Sequence, residues 1–305
     1  MARTRYASDR GLTSRMLVTM FLLGLVYVVA VGAFFVFLPQ WAFIALAAAA
    51  VFLLAQYFFS DKMTLFAMHG RVVTPEEAPE LHGVVDRICA MSDAPKPRVA
   101  IADTDVPNAF ATGRNQKKAV VCVTTGLLRR LDPVELEGVL AHEMAHVAHK
   151  DVAVMTIASF LGICAGLITR IGLQIGLFGG FGRRSNDQNT GLILLAVVAA
   201  SALAYAVSFM LTRALSRYRE LSADRAAALL TGRPSALASA LTKVNGEIAR
   251  IPTNDLRSAQ AFNAFFFTPA LGKGFSVSSL FSTHPSLDKR LAQLSKISEQ
   301  LSRGV

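Results

Sequence analysis

The stretch VLAHEMAHVAHKD, Val139 to Asp151, crowds three of the chain's six histidines and a glutamate into one short segment. Imidazole and carboxylate are the groups zinc binds, and a water activated for attack needs a base beside it. Hydrolytic chemistry would sit here. His142 and His146 are spaced i and i+4, which puts both rings on one face of a helix, within reach of one ion. Glu143, next to the first of them, is placed to work on a water at that ion as general base. His149 shares the face but lies about 10 Å from His142 along a helix axis, too far for both to bond one zinc at roughly 2.0–2.1 Å. It reads as an interfacial or solvated histidine. A catalytic zinc takes three protein ligands and keeps one position open, so the third ligand must come from another element.

A helix has to present these groups, and its start is legible just upstream. In LDPVELEGVLAHEMAHVAHKD, Asp132 reads as the N-cap, Pro133 as the first helical residue and Glu135 as the third, which closes a capping box. The best source of a third ligand is RALSRYRELSADRAAALL, Arg213 to Leu230. Glu220 and Asp224 stand one turn apart there. Glu220 can ligate, while Asp224 can accept a hydrogen bond from a ligating histidine and fix its tautomer. The competing reading is a solvated helix whose acids pair with Arg217, Arg219 and Arg225. The histidine pair, and the position of both helices at the feet of one apolar hairpin, favour the ligand reading.

That hairpin belongs to a chain with 53% hydrophobic residues, 17% charged residues and one tryptophan in 305, a mixture that points to a membrane. Leu17 to Leu38 is uncharged and long enough to cross a hydrocarbon core of about 30 Å, and Trp41 to Phe59 follows after only Pro39 and Gln40. The apolar part is too long for a secretory leader, and no cleavage site interrupts it, so an uncleaved hairpin is expected. Val152 to Thr169 and Leu192 to Leu211 form a second pair, joined by a polar, Gly-rich link with Arg183, Arg184 and Asp187. Arg170 interrupts the apolar tract after the first of these runs, and IGLQIGLFGG beyond it is too weak for a further span. The basic loop leaves open whether this hairpin crosses fully or is re-entrant.

Five segments follow from this pattern: a basic N-terminal segment at 1–16, transmembrane hairpin 1 at 17–59, the first part of a catalytic domain at 60–151, hairpin 2 at 152–211, and the second part of that domain at 212–305. Both parts emerge on one side, so they can fold together. Arg3, Arg5, Arg10 and Arg15 before the first span, Lys62 and Arg71 after the second, and Arg213, Arg217 and Arg219 after the fourth put that side in the cytoplasm. The net charge of +10 is accounted for by these flanks and by attraction to anionic lipid, so no nucleic-acid partner is expected. Cys89, Cys122 and Cys164 are scattered and read as reduced, structural thiols.

In the first polar part, TPEEAPELHGVVDRICAMSDA opens on a second helix start, with Thr74 as cap, Pro75 first and Glu77 closing the box. Short strands are expected at RVAIAD, Arg98 to Asp103, and within AVVCVTTGLL, Ala119 to Leu128. The fold class is therefore mainly α with a small β-sheet, in a multi-pass membrane protein with a zincin-like catalytic domain.

The pairing of AHEMAH with RELSADRAA across a membrane hairpin resembles the HtpX family of integral-membrane zinc metalloproteases, relatives of the CAAX prenyl proteases. The resemblance covers nearly the whole chain. It implies an endopeptidase with a cytosol-facing zincin domain and one zinc, acting on damaged or misfolded membrane proteins. It also implies His142, His146 and Glu220 as ligands, Glu143 as general base and Asp224 as a partner of a ligand. In VPNAFATG it implies that Asn108, Ala109 and Phe110, in a loop near the sheet edge, pair with substrate backbone as an added strand. In STHPSLDKRL it puts His284 and Arg290 at the family's late His-Pro and Arg, one near the oxyanion and the other anchoring the acidic helix. The segment NAFFFTPALGKGFSVSSLF has the composition of an apolar lid.

Two other classes fit the sequence less well. An intramembrane protease carries its metal motif inside a span, whereas Asp132, Glu135, Glu137, Lys150 and Asp151 surround this one. A non-catalytic zinc scaffold, or a chaperone-like factor, would need a site closed by four ligands, usually with cysteine, and no cysteine is suitably placed.

Overall fold

A computed structural model of the chain describes residues 10–37, 39–113, 115–179, 188–248, 250 and 284–303. Among these residues the helices are α1 (Arg10–Phe37), α2 (Pro39–Ala67), α3 (Pro79–Ser92), α4 (Thr125–Leu128), α5 (Pro133–Ala148), α6 (Asp151–Gly179), α7 (Gln188–Thr231), α8 (Pro234–Ile248) and α9 (Leu287–Ser302). The strands are β1 (Gly70–Val72), β2 (Arg98–Ala102), β3 (Ala109–Thr112) and β4 (Val120–Thr124). The architecture is mainly helical with a small mixed sheet. The apolar segment NAFFFTPALGKGFSVSSLF and the basic link at Arg183, Arg184 and Asp187 lie outside the described residues.

Contacts divide the chain into two units. One contains Gln56–Ala153 and Ser216–Val305, and the other contains Ser14–Ala55 and Val154–Leu215. In the first unit the sheet order is β1-β2-β4-β3. The β1/β2 and β3/β4 pairs are antiparallel and the β2/β4 pair is parallel, with Val99 opposite Val121 and Phe110 opposite Cys122. All five residues of β4 are buried, as its apolar run on both faces requires of a central, covered strand. The strand β3 is left at the edge.

Helix α5 packs against α3, α8, β3 and β4. It starts where the sequence predicts: Asp132 accepts from the backbone of Val134 and Glu135, and the Glu135 side chain reaches back to the Asp132 N–H. Glu135 is buried because it also accepts from Ser239 Oγ (2.6 Å) and Lys243 Nζ (2.7 Å), which ties α8 to the start of α5. Gly138 lets α8 come close, since a Cβ there would meet Leu237 at 3.4 Å. Every residue from Gly138 to His146 is buried, so this polar helix is held inside a core that includes Val85, Ile88, Val121, Val139, Leu140, Ala227 and Leu241.

The other capping signal behaves differently. Thr74 N–H does donate to Glu77 (2.8 Å), but residues 75–77 form only an isolated turn, and α3 begins at Pro79. A residue before proline is pushed out of the α region, and Ala78 has φ −142 and ψ 63. The turn therefore breaks and restarts four residues late. A similar shift occurs at Ala119–Leu128, where β4 ends at Thr124 and its hydroxyl caps the helical turn α4 through Leu127 N–H (3.2 Å).

In the second unit Leu23, Ala158 and Leu215 form a small core, with Met16, Met20, Val154 and Leu211 around it. Small and hydroxyl residues line the α6 and α7 contact. A Cβ on Gly166 would meet Tyr205 at 3.2 Å, Thr169 and Ser201 hydroxyls are 2.9 Å apart, and Thr212 Oγ1 donates to Ala158 O (3.3 Å). Close approach through small residues, with hydroxyls as interhelical links, is how helices associate where the solvent is lipid. Leu17, Phe21, Val28, Leu54, Leu167, Leu195 and Leu203 are exposed. By length and composition, one stretch among the described residues, Leu195–Thr231, is long and apolar enough to cross a bilayer; Thr13–Val29, Ala50–Phe59 and Val154–Arg170 are shorter apolar stretches. Arg170 does not stop α6, which runs on to Gly179.

Candidate metal centre

The site is assembled in the first unit from five pieces of chain. His142, Glu143 and His146 come from the middle of α5, Glu220 and Asp224 from α7, Asp151 from the first residue of α6, Arg290 from α9 and His284 from just before it. The two imidazoles stand edge to face, with centroids 4.8 Å apart.

Their nitrogens are already sorted by what surrounds them. His146 Nδ1 is hydrogen-bonded to Asp151 Oδ2 (2.6 Å) and His142 Nδ1 faces Asp224 Oδ1 at 2.9 Å, so a carboxylate stands against the Nδ1 of each ring and favours its hydrogen there. Both Nε2 atoms are thereby left as lone pairs, and they face each other at 3.2 Å. Such a contact is repulsive until a cation or a proton comes between. Glu220 completes the triangle, with Oε2 3.5 Å from His142 Nε2 and Oε1 3.3 Å from His146 Nε2. Tetrahedral donors at zinc bonds of about 2.0–2.1 Å sit roughly 3.3–3.4 Å apart, so these separations suit one small ion.

Charge points the same way. The buried carboxylates of Glu143, Asp151, Glu220 and Asp224 face the guanidinium groups of Arg219 and Arg290. Carboxyl groups outnumber guanidiniums here, a surplus of negative charge that a divalent cation offsets. Without one, protons take its place. Burial alone would lower the His146 pKa, but Asp151 and Glu220 outweigh it and hold the imidazole at about 10. Glu220 is kept well below the carboxylate range, because the three surrounding histidines overcome the effect of its burial. Asp224 is lowered against burial by Arg290, which grips it through Nε (2.7 Å) and Nη2 (2.6 Å). Asp151 is lowered against burial by Arg219 and His146.

Glu143 is different. Burial pushes its carboxyl upward, which suits a group that must take and return a proton. Its Oε2 accepts from the backbone N–H of Ala111 in β3 (3.1 Å). That bond also reveals which way the edge strand faces. Asn108 N–H donates to Thr124 Oγ1 (2.9 Å) and Asn108 O accepts from Thr124 N (2.9 Å), so Asn108 is tied to β4. Alternation then turns the backbone groups of Ala109 and Ala111 to the side of β3 that has no strand partner among the described residues. Ala109 and Phe110 thus stand in the edge strand itself, not in a loop as the sequence suggested. The Phe110 side chain is buried with Ala100, Ala102, Val120 and Cys122.

His284 Nδ1 lies 3.0 Å from Glu220 Oε2, so its nearest functional group is the third candidate ligand. His149 caps the end of α5 and stays out of the ligand triangle. Sequence reasoning missed Asp151 and Arg219, which it treated as flanking charges, and the Ala111 N–H. The one available signal was an aspartate just past the end of the motif helix.

The sequence pattern of Peptidase family M48 matches residues 75–298. The chain belongs to peptidase family M48. As an M48 member it is a metalloprotease, and its curated relatives carry matching names. "Protease HtpX homolog 1" of Streptomyces coelicolor is 64% identical over 98% of this chain and 97% of its own length. "Protease HtpX homolog 2" of Methanosarcina mazei is 51% identical over 98% of this chain and all of its own length. Among solved structures, S. mikatae Ste24p has a similar fold, with a TM-score of 0.52 at 19% identity over 94% of this chain and 67% of that one. The matched M48 region contains the whole candidate site.

Proposed function

We propose that this M48 metalloprotease is a multi-pass membrane zinc endopeptidase that cleaves damaged or misfolded proteins, membrane proteins among them, at the cytoplasmic face. The observation that carries the reading is the triangle of His142, His146 and Glu220 donors, 3.2–3.5 Å apart, with the buried Glu143 carboxyl beside it. The exposed apolar surface of the second unit supports a bilayer as its solvent, and the basic residues at the helix feet support the orientation.

His142, His146 and Glu220 would hold one zinc ion, which would supply Lewis acidity to polarise the scissile carbonyl and to let water attack near neutral pH. Glu143 orients that water, takes its proton during attack and delivers it to the leaving amine. Substrate adds as a strand along the unpaired side of β3, through Ala109 and the Ala111 carbonyl, so cleavage selects extended, locally unfolded chain over particular side chains. Asp224, fixed by Arg290, keeps the His142 ring in its ligating tautomer, and His284 steadies Glu220 beside the developing oxyanion.

The test is Glu143→Gln in the detergent-purified full chain, assayed on an unfolded protein such as casein. The variant is expected to retain wild-type zinc content and lose activity by about 10²–10⁴-fold. Cleavage within tenfold of wild type would overturn the assignment of Glu143.

A further inference from the structure

We infer that Asp151 is the positioning residue for the second zinc-binding histidine, and that Arg219 holds it in that role. The inference rests on the zinc reading above and adds a function to a pair of residues outside the metal motif.

Asp151 Oδ2 accepts from His146 Nδ1 at 2.6 Å and meets Arg219 Nε at 2.9 Å. Asp151 is 1% exposed, and the Arg219 side chain is 11% exposed. A carboxylate buried this completely needs a charge partner and a hydrogen bond, and Oδ2 has Arg219 for the first and His146 for the second. The bond to His146 places a hydrogen on Nδ1 and leaves Nε2 bare toward the ligand triangle. Arg219 is also the neighbour of Glu220 in sequence, so the same ion pair fixes the turn of α7 that presents the third ligand.

The route by which Asp151 arrives argues for a purpose. In an unbroken helix a residue five positions after His146 would lie about 140° around the axis and could not reach that ring. Here α5 ends at Ala148 and α6 starts at Asp151, while Lys150 between them takes the left-handed φ of 58°. A lysine at left-handed φ is strained. The break returns Asp151 to the ligand face that the helical period had carried it away from.

The experiment uses the full chain in detergent, as wild type, Asp151→Ala and Asp151→Asn. Zinc affinity is read by competition with a chromogenic chelator, and the absorption spectrum is read after cobalt replaces zinc. Thermal unfolding checks that each variant is folded. Asp151→Ala is expected to bind zinc about 10–100-fold more weakly and to change the cobalt spectrum, while Asp151→Asn, which keeps an acceptor oxygen without the charge, loses less. A folded Asp151→Ala with zinc affinity within twofold of wild type and an unchanged cobalt spectrum overturns the inference. Should Asp151→Ala not fold, unchanged affinity in Asp151→Asn does so. Wild type that takes up no zinc overturns the proposed function, and this inference with it, whereas normal wild-type binding with indifferent variants overturns this inference alone.

Discussion

The two histidine arms of the site have the same chemistry and different mechanics. On one arm Asp224 receives His142 and is gripped by Arg290 through two hydrogen bonds of 2.7 and 2.6 Å, with Asp224 and Arg290 both fully buried. On the other, Asp151 receives His146 and meets Arg219 Nε at 2.9 Å, with the Arg219 side chain 11% exposed. A two-pronged buried clamp fixes both position and angle, while a single contact fixes position and leaves the angle softer. The carboxylate behind His142 is thus clamped by two hydrogen bonds, and the one behind His146 is held by an ion pair.

Removing the clamps should expose this asymmetry most plainly. Arg290→Ala leaves Asp224 buried beside a single imidazole and is expected to destabilise the catalytic unit by about 3–5 kcal/mol, with loss of zinc. Arg219→Ala is expected to lose less, about 1.5–3 kcal/mol, because water can partly replace the guanidinium. Thermal unfolding of both variants in detergent checks the order, and equal losses would break the comparison.

Titration gives the next test. The His146 pKa of about 10 lies above its ordinary value of 6.5, so the protonated ring stabilises the metal-free fold fully below pH 6.5 and progressively less as pH rises through about 10. The chelator-treated chain is expected to show a falling unfolding midpoint between pH 7 and 10. The zinc-loaded chain should show little of that fall, since the ion takes the proton's place. Parallel pH profiles with and without zinc would contradict the stated role of His146. The smallest effect concerns the break that brings Asp151 in. Lys150→Gly relieves left-handed strain and should change stability by no more than about 1 kcal/mol, with zinc affinity unchanged. Lys150→Val, which resists that backbone conformation, should weaken zinc binding, as the same chelator competition would show.

The asymmetry also explains what could be read from the chain. His142, Glu143 and His146 share a helix whose capping box is written in Asp132 and Glu135, and Glu220 and Asp224 lie one turn apart on another, so helical period alone relates each set. Asp151 obeys no such period, because a left-handed residue resets the chain before it. Its partner Arg219 was equally hidden, since on α7 it reads as a neighbour for Glu220. The sheet was legible as two apolar strands, but which strand stands at the edge depends on the pairing order, and β3 was read as a loop. The late start of α3 came from Pro79 overruling a well-formed cap at Thr74.

The most direct test is the zinc content per chain of wild type and Glu220→Ala, measured by elemental analysis on the detergent-purified proteins. The three-donor site predicts one zinc in wild type and almost none in Glu220→Ala. A full complement of zinc in Glu220→Ala would contradict it, and would mean that the carboxylate facing both histidines is not the third ligand.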